Sequence, residues 1–232
     1  MITTLAFSAF VAVSCGWMGV RAVREHRAAL AERRGLLDDA AKLLDNGRIT
    51  FGPDHFPVLV GWLGDGRQAK IELIADTMVT RRLPQLWLRV TLSEARQHAR
   101  PTIGALARPT GAEYYSLVHD MAEWMTPPET EASVLMRGDG SATAWQVERV
   151  SALFRSLFAD PGLKEAVITA RGTRIIRQAA QGEPGAHKVL RQARFPLTAI
   201  PPELVSLAIA EAETLSALLA EDDSMISACE AA

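Results

Sequence analysis

The chain reads as an α+β fold carried behind an apolar N-terminal helix. Three observations predict this: an uncharged run from Met1 to Val20 that ends abruptly in arginine, period-two stretches joined by tight-turn dipeptides, and amphipathic helices scattered among those stretches. Strand runs arranged as hairpins favour an antiparallel sheet over a doubly wound parallel one, which needs a helix after each strand. With 232 residues, 48% hydrophobic and 22% charged, the chain can bury one core and still carry an appendage.

Composition excludes several classes of protein. A formal charge of -2 argues against a general nucleic-acid binder, which needs a clearly basic surface to displace counterions from phosphate. The cysteines, Cys15 and Cys229, are too few for a disulfide framework or a four-cysteine zinc site. Among the basic residues only Lys42, Lys70, Lys164 and Lys188 are lysine, so any cationic surface is built mainly of arginine forks.

Residues 1–20 are long enough, at 1.5 Å per residue, to match a hydrocarbon layer of roughly 30 Å. Ala12-Val13-Ser14-Cys15 resembles a lipoprotein cleavage box, but nothing basic precedes the run, as an export signal requires. Arg21, Arg24, Arg27, Arg33 and Arg34 follow it. The positive-inside rule then predicts an uncleaved transmembrane anchor in a bacterial inner membrane, N-terminus outside and soluble domain in the cytoplasm. Trp17 with Arg21, Arg24 and Arg27 is the expected membrane-interface set, the arginines holding anionic headgroups of the lipid bilayer. Ser14, Gly16 and Gly19 are small enough for another helix to approach, without a strict GxxxG spacing.

Residues 21–46 read as a juxtamembrane basic helix, with Val23, Leu30, Leu37 and Leu44 in one row facing the domain and Asn46-Gly47 as its stop. The soluble α+β domain is expected over 47–221, with a weak hint of duplication, and a flexible tail over 222–232. Within the domain, "FPVLVGWL" and "RQAKIELIAD" form a hairpin around Asp65-Gly66. "RRLPQLWLRVTL" adds a strand with Leu86, Leu88, Val90 and Leu92 on one face, and "TIGALARPTG" a fourth. Tyr114, Leu117, Val118, Met121 and Met125 mark a helix over 112–125. A strand at "EASVLMRG" leads to a helix burying Val147, Val150, Leu153, Phe154, Leu157 and Phe158. A second hairpin turns at Arg171-Gly172, a short helical piece follows near 186–194, and Pro201-Pro202 opens a last helix with Leu204, Leu207, Leu215 and Leu218 inward.

Catalytic signatures are wanting. There is no GxSxG elbow, Walker loop or dinucleotide fingerprint, and no catalytic residue, cofactor or metal is assigned. His119 and Glu123, four apart beside Asp120, would share a helical face, but the pattern is not HExxH, and a solvated face explains it better. Trp62, Trp87, Trp124 and Trp145 read as core or interface anchors. The suggestive constellation is cationic: Arg81 and Arg82 before one strand, then Arg171, Arg174 and Arg177 along the second hairpin, where alternation brings some of them onto one polar face. The turn Asp139-Gly140-Ser141, between a strand and a helix, is a second candidate anion- or partner-binding point. The plain reading of that face is a solvated surface neutralised by carboxylates. Together these features predict a non-catalytic single-pass membrane protein, an accessory or assembly subunit whose partners are other membrane protein subunits. The alternative is a membrane-tethered sensor that binds an anionic ligand or lipid headgroup through the arginine face.

Overall fold

A computed structural model of the chain describes residues 2–77, 82–184 and 193–219, with backbone alone for 2–6, 8, 9, 26 and 29. Among these residues nine strands form one sheet, each pairing antiparallel, and a few helices complete an α+β fold. The strands are β1 (Asp45–Phe51), β2 (Pro57–Trp62), β3 (Gln68–Asp76), β4 (Gln85–Ser93), β5 (Ile103–Ala107), β6 (Glu123–Met125), β7 (Val134–Gly138), β8 (Leu163–Thr169) and β9 (Gly172–Gln181). They lie in the order β1-β2-β3-β4-β9-β8-β5-β7-β6. The helices are α1 (Ile2–Arg34), α2 (Ala144–Leu157) and α3 (Pro202–Leu218).

The two hairpins form where turn chemistry demands them. Gly66 takes φ +85°, and the Asp65 carboxylate accepts the Arg67 N–H at 3.0 Å, closing the β2–β3 turn. Gly172 starts β9 at φ +152°, and a Cβ there would lie 1.9 Å from the Leu92 carbonyl oxygen of β4. Only glycine lets β9 approach β4 so closely. Strand β4 then pairs with β9 from Gln85↔Gln181 to Ser93↔Gly172, joining the β1–β4 meander to the remaining strands.

Period-two alternation sorts the side chains of this sheet. Leu86, Leu88, Val90 and Leu92 of β4 face one side with Ala69, Ile71 and Leu73 of β3 and Ile175 of β9, all buried. Helix α3 lies across β9 and β4 on that side, and α2 sits beside it. Strands β7 and β8 both run antiparallel to β5, so α2 is the crossover between two parallel strands. A capping box opens α2: the Thr143 side chain accepts from the Gln146 N–H, and Gln146 accepts from the Thr143 N–H at 3.0 Å. Phe154 and Phe158 pack edge to face beneath it at 5.8 Å.

Several expectations are corrected. Helix α1 ends at Arg34, because Gly35 opens a turn that leads into a 3-10 turn over Ala40–Leu43 and then β1. Asn46-Gly47 is therefore no helix stop: it lies in β1, where the register shifts against β2 and Asn46 takes φ +53°. Leu37 and Leu44 reach the core from different elements while Val23 is exposed, so the row of seven is no continuous stripe. Residues 112–125 form a loop, a short 3-10 turn over Val118–Asp120 and edge strand β6, not a helix. The Glu113 carboxylate accepts the Thr110 and Gly111 N–H groups and the Ser116 hydroxyl accepts the Val118 N–H, which holds that backbone in turns.

Helix α3 buries Val205, Ala208, Ile209, Ala212 and Leu215, whereas Leu207 is 45% exposed and Leu204 and Leu218 only half-buried. Close packing on a sheet selects the small side chains of Ala208 and Ala212 over the leucine row. The expected spanning anchor over 1–20 is not supported: among the described residues no helix is long and apolar enough to cross a membrane. The run contains small and polar residues (Ser14, Gly16, Gly19), and beyond Val20 the helix is basic. The expected short helix near 186–194 falls mostly, and the tail over 222–232 entirely, outside the described residues.

The packing of α3 gives a direct test. Leu215→Ala should cost roughly 2–5 kcal/mol and Leu207→Ala less than about 0.5 kcal/mol, read as urea midpoints with unchanged slope. Equal losses would mean that α3 is rotated from this orientation.

Candidate functional site

The face of the sheet opposite α3 is polar, and here the chain concentrates its charge. Because side chains at i and i+2 share a face, Lys70 and Glu72 of β3, Arg89 and Thr91 of β4 and Arg174 of β9 lie on it together. Thr91 stands in register between Lys70 on one side and Arg174 on the other. Glu72 joins Lys70 at 2.9 Å and Arg89 at 2.7 Å. Burial would raise the Glu72 carboxyl, but these two cations hold it below the usual carboxylate range. With Arg171 at the β8–β9 turn, these residues line a cleft of about 320 Å³.

Beneath the cleft lies Glu165 of β8, fully buried, and burial pushes its carboxyl above the ordinary value. It accepts the Leu117 N–H at 3.1 Å and comes within 3.2 Å of Arg174 Nε, in a geometry that forms no hydrogen bond. Arg174 Nη2 donates instead to the Tyr115 carbonyl oxygen. The loop bearing Tyr115 and Leu117 thus covers the middle of the polar face, with Tyr115, Trp87, Ile74 and Ile176 packed as a small apolar island.

Beyond that island is a second cavity of about 280 Å³, lined by Arg82, Arg108, Lys164, Glu113 and Asp76 among others. Its buried charges are spoken for. Lys164 Nζ donates to the carbonyl oxygens of Ala107 (2.8 Å) and Arg108 (3.0 Å) and to Glu113 (2.9 Å), which uses all three of its protons. Glu113 also accepts the Thr110 N–H and hydroxyl and the Gly111 N–H, and meets His119 Nε2 at 3.1 Å. Burial opposes ionisation of Glu113, yet the bonds from Lys164 and Thr110 and the Lys164 charge hold it at about 2. The amine of Lys164 is lowered, chiefly by burial. This pair clasps the covering loop and has no proton or lone pair to offer a substrate.

The sequence candidates separate accordingly. Arg171 and Arg174 share the first cleft, and Arg82 lies at the second. Arg177 is three residues from Arg174 and so emerges on the opposite face, buried between Asp160 and Glu211 of α3. Arg81 lies outside the described residues. Asp139, Gly140 and Ser141 form a closed turn: Asp139 accepts the Thr102 N–H at 2.8 Å and the Ser141 hydroxyl at 2.6 Å, and Gly140 takes φ +87°. Those bonds keep the Asp139 carboxyl below its usual range despite burial, and the cap of α2 is Thr143. A negative charge occupies the point where an anion was expected. Trp17 and Arg21 lie on exposed α1 with the guanidinium 5.5 Å from the ring, and Arg24 and Arg27 are exposed beyond them.

His119, Asp120 and Glu123 lie on a turn and a strand rather than one helical face, and among the described residues no group of three His, Cys, Asp or Glu is placed to hold a metal ion. Sequence reasoning missed Lys70, Glu72, Arg89 and Thr91, although each occupies the polar half of an alternation whose apolar half was read. Comparison of the chain with protein-family models, curated proteins and solved structures finds no match.

Glu113 supplies a test of the clasp. A carboxylate held at about 2 against an ordinary 4.5 stabilises the fold above about pH 4.5 and loses that contribution as the pH falls toward 2. Glu113→Gln should lower stability at neutral pH by roughly 3–5 kcal/mol, because Lys164 stays buried and loses its counter-charge. It should also flatten the acid limb of the urea midpoint plotted against pH; an unchanged limb would count against the clasp.

Proposed function

We propose that the chain is a non-catalytic binding subunit of a membrane-associated protein assembly, held there by α1, with its α+β domain on the cytoplasmic side. The observation that carries this reading is the unpartnered apolar surface of α1. Phe7, Phe10, Val13, Trp17, Met18 and Val20 are exposed and, at 100° per residue, fall within about 160° of the helix circumference, one broad apolar side. An apolar side of that size left uncovered marks a surface for another protein or a membrane. Its own domain does not bury it: the ties are at its last turn, where Arg33 donates to the Asp54 carbonyl at 3.1 Å and lies over the Phe56 ring at 4.6 Å. The arginines that follow the apolar part support the cytoplasmic side, since the anionic lipids of that leaflet attract basic segments. The binding role draws support from the polar face, where the buried titratable groups Lys164 and Glu113 are committed to each other and to protein partners.

The full chain, expressed in bacteria, should sediment with membranes and enter solution with mild detergent, bringing other membrane proteins with it. Phe10→Asp combined with Val13→Asp should move most of it to the supernatant, because each carboxylate would have to be desolvated against the surface that α1 meets. Recovery of the unaltered chain as a detergent-free monomer overturns the reading.

A further inference from the structure

We propose that the cleft between Lys70, Arg89, Arg171 and Arg174 binds a phosphate monoester or a similar dianionic oxyanion. The inference goes beyond the role given to α1 and stands on the cleft alone. Charge is the first argument. Four cations line or edge the cleft against two carboxylates, Glu72 among them and Glu165 beneath, so positive charge is in surplus by two. A phosphate monoester at neutral pH carries about -1.5 to -2 and presents three acceptor oxygens, which matches that surplus.

The donors are suitably arranged. Thr91 lies between Lys70 and Arg174 on adjacent strands, so the two cations spring from points roughly 10 Å apart on either side of it. Ser93 follows on the same face of β4 and stands in register with Gly172 at the end of the cleft. The side chain of Arg174 is only 10% exposed, and its Nε faces Glu165 Oε1 at 3.2 Å without a hydrogen bond, so Arg174 lends the cleft its charge from beneath.

Size and lining narrow the ligand. A cleft of about 320 Å³ stands at the lower end of small-molecule sites, near 300 Å³, suited to one phosphorylated small group rather than a polymer. Among the described residues no aromatic side chain lines it, so they offer a base no stacking platform and the recognised part is the phosphate itself. The cations also differ from the buried structural ones. Arg100 spends its guanidinium on Glu94, Thr169 and Ser216, and Arg177 on Asp160 and Glu211, while Lys70 and Arg171 stand exposed at the rim.

The test uses the full chain in mild detergent, titrated calorimetrically with glycerol 3-phosphate and inorganic phosphate, with glycerol as the uncharged control. Saturable binding of the phosphates and none of glycerol is expected, weakening as salt is added. Lys70→Ala with Arg171→Ala should weaken it at least tenfold, whereas Lys42→Ala, an exposed lysine on the 3-10 turn, should not. Urea midpoints of the variants establish that they are folded. Vesicles of phosphatidylcholine with and without phosphatidic acid separate the sources: recruitment by phosphatidic acid that the double substitution abolishes assigns a lipid headgroup, and binding of glycerol 3-phosphate without such recruitment assigns a soluble ester. Absence of saturable phosphate binding, or binding undiminished in the folded double variant, overturns the proposal. Neither result depends on where α1 resides.

Discussion

The pairing of β4 with β9 is the contact on which the rest of this structure depends. These strands are far apart in the chain, and their register, from Gln85↔Gln181 to Ser93↔Gly172, welds the β1–β4 meander to the strands that follow. On one side α3 covers the seam; on the other, Trp87, Ile176 and Tyr115 do. Gly172 sets how closely the strands approach. Without the seam there are hairpins but no common core, and Arg174 never comes beside Thr91.

Charge placement follows from that seam. Ions removed from water are stable only with close partners, and the buried ones here have them: Arg100 with Glu94, Arg177 with Asp160 and Glu211, Lys164 with Glu113. Each ties a loop or helix to the sheet. Arg100, for instance, links the segment after β4 to the end of β8 and to α3 through Thr169 and Ser216. The polar face differs at the Lys70–Arg171 end, where cations outnumber carboxylates and solvent reaches them. A local excess of one charge is costly to maintain in a compact fold. The bond network explains the paired ions as architecture and leaves this excess without a structural role in the fold.

Local chemistry was legible in the residues. The Asp65-Gly66 and Arg171-Gly172 turns, the β4 alternation through Leu86, Leu88, Val90 and Leu92, and the capped helix after Gly140 all form as their patterns indicate. Failures cluster where a nonlocal partner overrides a local pattern. Residues 112–125 have helical periodicity, but Glu113 is drawn to Lys164 and Leu117 to Glu165, and those contacts fold the segment as a cover. Of the α3 leucines expected to face inward Leu215 does, whereas Leu207 yields its place to Ala208 and Ala212, which the close approach of the sheet favours. Of the arginine candidates, Arg171 and Arg174 share a cleft because the strand period keeps Arg174 on the polar face, and Arg177 leaves it by the same rule.

The sequence by itself determined the fold class, the hairpins and their turns, and the split of each central strand into an apolar and a polar half, because these depend on neighbours within a few residues. Tertiary structure alone decided which polar halves stand side by side. Lys70 meets Arg174 across Thr91 through the β4–β9 register, and Glu165 lies below them because β8 pairs with β9. Strand register across a long loop is set by packing on both faces at once, and no stretch of sequence contains that information locally. The cleft is therefore a property of the sheet, although every residue in it was visible from the start.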